Sequence, residues 1–345
     1  MPGSSSDPRR GAGRVEMWQR LVLRHFPLVL DIGGDVLICV VSVPLQRVSR
    51  WRETVAAPAG RSRVIDDYAD RWALVTGASS GIGAEFARVL AARGMHLILT
   101  ARRENLLKGL AEELDTRHGT RTEIFVGDLS DPDEPKRLFD EIASRGIQVE
   151  LLINNAGFGF VGTIDETDAD RMQQLIRLNM AALTALTYLY LPGMTERGHG
   201  GIINVASVAA FQPVAYMPVY SAGKAYVLHF SEALWAEARD KGVTIMALCP
   251  GTTSTEFFDV AGVSNWLKKQ RSHSTEYVVR KSLKALEKKR QYVIPGLANY
   301  LLSLGVRLAP RKMVVKETMK YFRPRKNKQG GGKDDLPDQE TKSDA

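Results

Sequence analysis

Three side chains in the middle of the chain could together move a proton. Ser207 precedes Tyr220 by thirteen residues, and Lys224 follows Tyr220 by four. Residues four apart share one face of a helix, so the Lys224 ammonium can lie beside the Tyr220 phenol and lower its pKa from the usual value of about 10. We therefore predict that Ser207 binds a carbonyl oxygen, that Tyr220 protonates it as a general acid, and that Lys224 holds a ribose and tunes Tyr220.

A glycine-rich turn lies far upstream, between an apolar strand and a helix. It reads Thr76-Gly-Ala-Ser-Ser-Gly-Ile-Gly83. Gly77 allows a sharp turn, while Gly81 and Gly83 allow the backbone to approach a ligand and the helix to pack close to the strand. The N–H groups at the start of that helix would face the pyrophosphate of a dinucleotide. The alternative is a glycine turn that binds no ligand. The predicted cofactor-binding residues of this turn are Thr76, Gly77, Ser79, Ser80, Gly81, Ile82 and Gly83.

Two arginines follow the second predicted strand. An acidic residue about twenty positions after the glycine turn would bind the ribose 2′-hydroxyl of NAD, but Ala101 stands there, followed by Arg102 and Arg103. Guanidinium groups suit a 2′-phosphate, so we favour NADP(H) over NAD(H). The alternative is that both arginines simply begin a solvated helix. Asp128 and Leu129, after the third predicted strand, are placed to meet the adenine ring edge, although Asp128 could equally cap a helix.

The elements that position these residues alternate regularly from Trp72 onwards. Short apolar runs, separated by amphipathic segments, predict strands at Trp72–Thr76, His96–Thr100, Glu123–Val126, Glu150–Asn154, Ile202–Ala206, Val243–Leu248 and Gln291–Ile294. The intervening helices have ten or more residues, and one of them is predicted to be a long helix over Asp168–Thr195. This pattern predicts an α/β fold, a three-layer doubly wound parallel sheet with helices on both faces.

Charge is unevenly distributed along the 345 residues, whose formal net charge is +8. Residues 266–328 carry 18 Lys and Arg against 3 Asp and Glu, whereas residues 64–265 carry 17 against 26. The basic part favours an anionic membrane surface over nucleic acid, for which no recognisable motif is present. Residues 297–323 mix these cations with apolar side chains, which indicates either an amphipathic element on a membrane surface or a helix packed on the core with a solvated basic face.

We divide the chain into four regions. Its apolar segment nearest the N-terminus, Leu21–Leu45, contains a clean run of only ten residues, Val36–Leu45, which is too short to span a bilayer and favours an interfacial or docking helix. Two distant cysteines, Cys39 and Cys249, give neither a disulfide framework nor metal-ligand spacing, so we expect no metal site and a reducing, cytoplasmic location, with membrane association left open. The predicted regions are a partly disordered N-terminal extension (1–65), a dinucleotide-binding catalytic domain (66–296), a basic amphipathic segment (297–328) and a disordered tail (329–345).

Taken together, these motifs resemble the single-domain branch of the short-chain dehydrogenase/reductase family. The resemblance covers about residues 70–295, and its elements occur in the family's order: the glycine turn, Asn154-Asn-Ala-Gly157, Asn179, Ser207, Tyr220 with Lys224, and Pro250-Gly251. It implies a Rossmann-type sheet of seven strands and NAD(P)-dependent interconversion of a carbonyl and an alcohol. An oxidised nicotinamide would then add its positive charge to that of Lys224 beside Tyr220.

The resemblance also implies roles for residues that spacing alone does not assign. Asn155, Ala156 and Gly157 would shape the cofactor cleft. Asn179 matches the family asparagine that holds a water molecule in a proton relay behind the lysine, and Thr255 matches a threonine that contacts the nicotinamide amide. Pro250, Gly251 and Thr253 would complete the cofactor site. Family members often form dimers or tetramers, so a homo-oligomer is also implied.

We thus predict an NADP(H)-dependent oxidoreductase that acts on a small-molecule carbonyl or alcohol. Aromatic residues near the motifs indicate a lipophilic ketone, aldehyde or acyl-chain substrate, unless they serve lid packing or subunit contacts. Two alternatives stay open: an epimerase or dehydratase on the same fold, and a non-catalytic NADP-binding sensor or membrane-surface scaffold. The aromatic residues are Phe158, Phe160, Phe257, Phe258 and Trp266.

Overall fold

Seven parallel strands form one sheet in the computed structural model, which describes residues 68–257 and 272–323. The strand order is β3-β2-β1-β4-β5-β6-β7, and every neighbouring pair is parallel. The predicted fold class is confirmed, and each strand begins and ends within two residues of its predicted bounds. The strands are β1 Trp72–Thr76, β2 His96–Ala101, β3 Thr122–Val126, β4 Val149–Asn154, β5 Gly200–Val205, β6 Val243–Leu248 and β7 Tyr292–Val293.

Helices cover both faces of the sheet. Alternate residues of β1 point to opposite faces, so Ala73 and Val75 join one apolar cluster with Phe86 and Leu107, while Leu74 joins a second cluster with Leu186. Burial on both faces explains why the strands are continuous apolar runs. The helices are α1 Gly81–Ala91, α2 Glu104–His118, α3 Glu134–Ser144, α4 Ala169–Ile176, α5 Leu183–Arg197, α6 Pro218–Ala238, α7 Thr275–Glu287, α8 Leu297–Leu308 and α9 Arg311–Phe322.

The strand order reverses between β1 and β4. From β1 the chain proceeds outward through β2 and β3, then returns to pair β4 on the other side of β1. The loops that follow β1 and β4 therefore diverge in opposite directions and leave a crevice at the carboxyl edge of the sheet, which is where such sheets bind ligands.

The long helix predicted over Asp168–Thr195 is present, and it contains a π-helical segment that the sequence pattern did not indicate. A π-helical segment, Arg177–Ala182, separates α4 from α5. The wider turn of a π segment cannot be recognised from apolar spacing, because the residues on either side keep a helical pattern. The π segment contains Asn179, to which the family resemblance assigns a part in a proton relay.

The basic segment after residue 296 forms a pair of helices, α8 and α9, joined at Ala309 and Pro310. The predicted N-terminal extension, its apolar segment and the acidic tail lie outside the described residues. Within residues 68–257 and 272–323, no helix combines the length and apolar character needed to cross a bilayer.

Candidate active site

A single crevice of about 1,320 Å³ runs along the carboxyl edge of the sheet. It begins at the glycine turn after β1, crosses the loops that follow β4, β5 and β6, and reaches α8 and α9. Typical ligand pockets measure about 300–1,000 Å³, so this crevice has room for a dinucleotide and a second molecule together.

The glycine turn has the geometry of an anion site. Gly77 and Gly81 have φ angles of 64° and 57°, which only glycine adopts without strain. A Cβ on Gly77 would lie 2.9 Å from the Cα of Ala156, so the turn is also sterically closed to other residues. Helix α1 begins at Gly81 with no side-chain cap from Ser80 and no acidic residue in its first turn. Its first N–H groups are therefore available to an anion, and the turn fits the pyrophosphate of a dinucleotide.

Two residues of the turn support its shape and do not line the crevice. The Thr76 hydroxyl accepts hydrogen bonds from the N–H groups of Asn155 (2.9 Å) and Ala156 (3.0 Å), which ties the end of β1 to the end of β4. Gly83 packs so tightly that a Cβ there would lie 2.3 Å from the Gly77 carbonyl oxygen. Direct cofactor contact by Thr76 and Gly83 stays a prediction.

Arg103 lies over the glycine turn and is already paired with an acid. Its Nη2 donates to Ser80 Oγ at 2.9 Å and to Glu256 Oε2 at 2.9 Å, and it lies 3.2 Å from Ser79 Oγ. Sequence reasoning missed Glu256, since a carboxylate is not expected beside a phosphate site. An incoming 2′-phosphate would have to displace this carboxylate from the guanidinium group.

Arg102 is held by the loop after β3. Its Nη1 lies 3.6 Å from Asp128 Oδ2. Asp128 also accepts hydrogen bonds from the N–H (2.9 Å) and the hydroxyl (2.8 Å) of Ser130, so it stabilises a turn and does not cap α3. Although partial burial opposes the change, these hydrogen bonds and the Arg102 charge lower the pKa of Asp128. Asp128 and Leu129 line the crevice, and their contact with an adenine edge stays a prediction.

Ser207, Tyr220 and Lys224 meet in the middle of the crevice. Ser207 lies two residues beyond β5 and caps a short 3₁₀ helix, Val208–Phe211. Its hydroxyl accepts from Ala209 N at 3.1 Å and hydrogen-bonds the Tyr220 phenol. One turn along α6 from Tyr220, the Lys224 Nζ lies 5.7 Å from the centre of the Tyr220 ring.

Burial dominates the ionisation of this pair. Burial raises the pKa of Tyr220 to about 12, against the smaller opposing effect of the hydrogen bond from Ser207. Burial lowers the pKa of Lys224 to about 8, and its Nζ donates to the Val205 carbonyl oxygen at 2.7 Å. With no nicotinamide beside it, the phenol does not show the predicted fall in pKa, because burial of Tyr220 raises the pKa and Ser207 offsets only part of the rise. At neutral pH Tyr220 holds its proton, as a general acid must.

Asn179 lies behind the crevice and is only 1% exposed. Its amide Nδ2 donates to the Phe158 carbonyl oxygen at 2.8 Å, and its Oδ1 accepts from Phe158 N at 3.1 Å. A Cβ on Gly157 would lie 3.0 Å from Asn179 Oδ1 and 3.7 Å from Lys224 Nζ, so both side chains approach the same glycine. Asn179 therefore fixes the loop after β4 next to Lys224, and its part in a proton relay stays a prediction.

The other predicted site residues fall on the crevice wall, including Asn155 to Gly157 and the segment from Pro250 to Thr255. Phe158 and Phe257 line the crevice, and Phe160 does not. Phe258 and Trp266 lie outside the described residues. Cys249 is buried, and burial raises the pKa of its thiol, in keeping with the role of a small apolar side chain.

Comparison with known proteins places this geometry in context. A family profile described as short chain dehydrogenase matches residues 71–263. A very-long-chain 3-oxoacyl-CoA reductase from Anas platyrhynchos is 34% identical over 196 residues, which is 55% of this chain and 62% of that protein. An inactive hydroxysteroid dehydrogenase-like protein 1 from Homo sapiens is 34% identical over 56% of this chain and 59% of that protein. The chain thus spans about three fifths of the length of these relatives.

A solved structure extends the comparison to the bound nucleotide. A short-chain dehydrogenase from Sphingobium yanoikuyae in complex with NADPH is 30% identical, with a TM-score of 0.63. The alignment covers 75% of this chain and 98% of that one.

The buried charge of Lys224 predicts a pH-dependent stability difference. Below a pH of about 8 the folded and unfolded chains both carry the charge, and the folded state bears the whole desolvation cost, about 3 kcal/mol for a pKa lowered from 10.5 to about 8. Between about 8 and 10.5 the folded chain loses the proton first, so its stability rises with pH. Lys224→Met removes this cost. The gain in the free energy of unfolding of Lys224→Met over wild type should therefore be larger near neutral pH than near pH 10.5, by up to about 3 kcal/mol.

Urea unfolding of the nucleotide-free protein at the two pH values measures this difference. Lys284→Met, which replaces an exposed lysine on α7, is the matched control. A difference in the free energy of unfolding between wild type and Lys224→Met that stays constant with pH would contradict the lowered pKa assigned to Lys224.

Proposed function

The chain belongs to the short-chain dehydrogenase family, and from this premise we propose that it is an NADP(H)-dependent oxidoreductase that interconverts a carbonyl and an alcohol on a lipophilic substrate. The observation that carries the proposal is the meeting of Ser207, Tyr220 and buried Lys224 in the same crevice as an uncapped helix start. This arrangement joins a proton donor to a nucleotide site, which is what reduction of a carbonyl requires.

The proton chemistry follows from the contacts of Tyr220. A carbonyl oxygen within reach of both hydroxyls would accept a hydrogen bond from Ser207 and the proton from Tyr220 as negative charge develops on it. Lys224, held at Val205 by a 2.7 Å hydrogen bond, would stabilise the phenolate that remains. A reduced nicotinamide bound beside Tyr220 would supply the hydride. Phe257, whose ring centre lies 5.5 Å from that of Tyr220, would help to exclude water from this point.

The preference for NADP(H) rests on Arg102 and Arg103. Both line the crevice beside the turn. Ala101 stands at the position where an acidic residue would bind a ribose hydroxyl. Their present partners, Asp128 and Glu256, show that each guanidinium can hold an anion at this place. A 2′-phosphate carries more charge than a carboxylate and offers several acceptor oxygens, so it would compete well for Arg103.

The lipophilic substrate is supported by the lining of the crevice near Tyr220. Phe158, Met217 and Phe257 lie there, together with Val208 and Val214 from the loop after β5. The relative from Anas platyrhynchos is named for reduction of a very-long-chain 3-oxoacyl-CoA. We therefore propose a carbonyl compound with an acyl chain as the substrate class.

A non-catalytic NADP-binding protein is the alternative, because one of the relatives is described as inactive. The meeting of Ser207, Tyr220 and Lys224 in one crevice favours turnover in this chain. The proposal of a homo-oligomer continues to rest on the family resemblance alone.

We further propose that α8 contacts anionic membrane surfaces from a cytoplasmic location. Leu297, Tyr300, Leu304 and Leu308 recur every three or four residues, and Leu308 is 88% exposed. None of the four lines the crevice. Exposed cations flank this stripe, which fits apolar insertion combined with attraction to anionic lipid. The flanking cations are Arg307, Arg311, Lys312, Lys316, Lys320 and Arg323.

Replacement of the proton donor tests the reaction. Tyr220→Phe should lower kcat by about 10²- to 10⁴-fold, the usual contribution of a general acid, and should leave NADPH binding intact. NADPH oxidation with ketones, aldehydes and 3-oxoacyl thioesters measures it. Tyr226→Phe is the matched control, since Tyr226 lies on the same helix but hydrogen-bonds Thr184 outside the crevice. Bound NADPH with no turnover by wild type would support the non-catalytic alternative.

Replacement of the two arginines tests the nucleotide preference. Arg102→Gln/Arg103→Gln should weaken NADPH binding at least tenfold, because hydrogen bonds to charged groups contribute about 1.5–3 kcal/mol each, and should change NADH binding much less. Titration of both nucleotides, followed by protein fluorescence, gives the two Kd values. Arg117→Gln removes an exposed arginine paired with Glu113 and serves as control. Equal losses for NADPH and NADH would argue against a 2′-phosphate site.

Removal of the apolar stripe tests the membrane proposal. Leu304→Ser/Leu308→Ser should reduce flotation of the full chain with phosphatidylserine-containing liposomes at least tenfold, since burial of each leucine contributes about 1.5–3 kcal/mol. Higher salt should weaken wild-type binding. Leu302→Ser is the control, because Leu302 faces the crevice. Wild-type protein that stays with the unbound fraction would end this proposal.

A further inference from the structure

The two C-terminal helices form one wall of the crevice, although they lie outside the region that the family profile matches. That match ends at residue 263, whereas α8 and α9 occupy 297–322. Side chains of both helices line the same crevice as Ser207 and Tyr220. Their role at the site has to be argued from the residues of this chain.

Specific contacts fix this wall in place. The Thr318 hydroxyl on α9 accepts a hydrogen bond from Ala215 N at 3.2 Å, in the loop between Ser207 and Tyr220. Asn299 on α8 packs against Gly251 so closely that a Cβ on the glycine would lie 2.3 Å from Asn299 Nδ2. The α8–α9 pair is therefore attached to the loops that follow both β5 and β6.

The face that the helices turn toward the crevice is apolar. Its side chains recur at helical spacing, and several remain exposed because they border open space: Leu302 is 56% exposed, Met313 is 52% exposed and Tyr321 is 60% exposed. An exposed apolar surface that is continuous with a ligand crevice indicates an apolar ligand. The main residues of this face are Leu301, Leu302, Val306, Met313, Val314 and Tyr321.

The side of the two helices that faces the crevice provides no cationic side chain for an anionic group. Among the described residues that line the crevice, no lysine or arginine comes from α8 or α9, and the charged side chain that they do contribute is Glu317. Glu317 is paired with Lys320, so this part of the lining offers a phosphate or a free carboxylate no cation of its own. A hydrocarbon chain satisfies both the apolar lining and this distribution of charge.

We infer that the inner face of the α8–α9 pair binds the distal hydrocarbon chain of the substrate, while Ser207 and Tyr220 hold its carbonyl group. This inference rests on the proposed reductase activity and assigns the recognition of chain length to residues of α8 and α9. A chain that lies along this face replaces water on Leu302 and Met313, so each added methylene group strengthens binding until the face is covered.

Kinetics on substrates of graded length test the inference. With NADPH and N-acetylcysteamine thioesters from 3-oxobutanoyl to 3-oxododecanoyl, wild-type KM should fall by about threefold per methylene over part of the series. In Leu302→Ser and in Met313→Ser, the ratio of kcat/KM for the longest to that for the shortest thioester should drop about tenfold. Met319→Ser is the matched control: it is the same residue type on the same helix, 38% exposed and outside the crevice lining, and should keep the wild-type ratio.

A binding measurement separates failure of the inference from failure of the proposed activity. Parinaric acid, a fluorescent fatty acid, should bind wild type and Met319→Ser equally and bind Leu302→Ser and Met313→Ser about tenfold more weakly. If no thioester is reduced but this binding pattern holds, the activity is wrong and the chain-binding face stands. Equal effects of Met313→Ser and Met319→Ser in both assays, or a wild-type KM independent of chain length, would overturn the inference.

Discussion

The parallel pairing of β1 with β4 is the constraint on which the rest of the site depends. At this pair the strand order reverses, so the loops that follow the two strands separate and open the crevice. The Thr76 hydroxyl holds the two strand ends together through the N–H groups of Asn155 and Ala156. The glycine turn, the loop that carries Phe158 and, through Asn179, the surroundings of Lys224 all take their positions from this junction.

Burial of Lys224 is the main energetic cost that the site imposes on the fold. A hydrogen bond from the Lys224 ammonium to the Val205 carbonyl oxygen offsets part of this cost. Among the contacts described for Lys224, none is with a carboxylate. A carboxylate would neutralise the charge that Tyr220 needs when it gives up its proton. The site therefore keeps an amine that is only partly stabilised, and the surrounding core, which is well packed on both faces of the sheet, supports it.

The fold and the central residues could be predicted from the sequence because both depend on local patterns. Apolar runs mark buried parallel strands, and β1 and β6 have the predicted bounds. The π segment around Asn179 was missed, since helical spacing continues through it. The pairing of Arg103 with Glu256 was missed as well, because 153 residues separate them and only the folded chain joins them. The high pKa of Tyr220 depends on burial, which a sequence pattern does not measure.

The contact between Arg103 and Glu256 would make the binding of a 2′-phosphate at Arg103 an exchange of anions. The Glu256 carboxylate lies 2.9 Å from the Arg103 guanidinium. The preceding residue, Thr255, packs against Gly81, and a Cβ on that glycine would lie 3.0 Å from the Thr255 methyl group. A phosphate that took the place of Glu256 on Arg103 would release this carboxylate to water, and the released residue belongs to the segment that follows Gly251. Coenzyme affinity would then be a difference between two ionic contacts, and Glu256 would be a built-in competitor for the same guanidinium group.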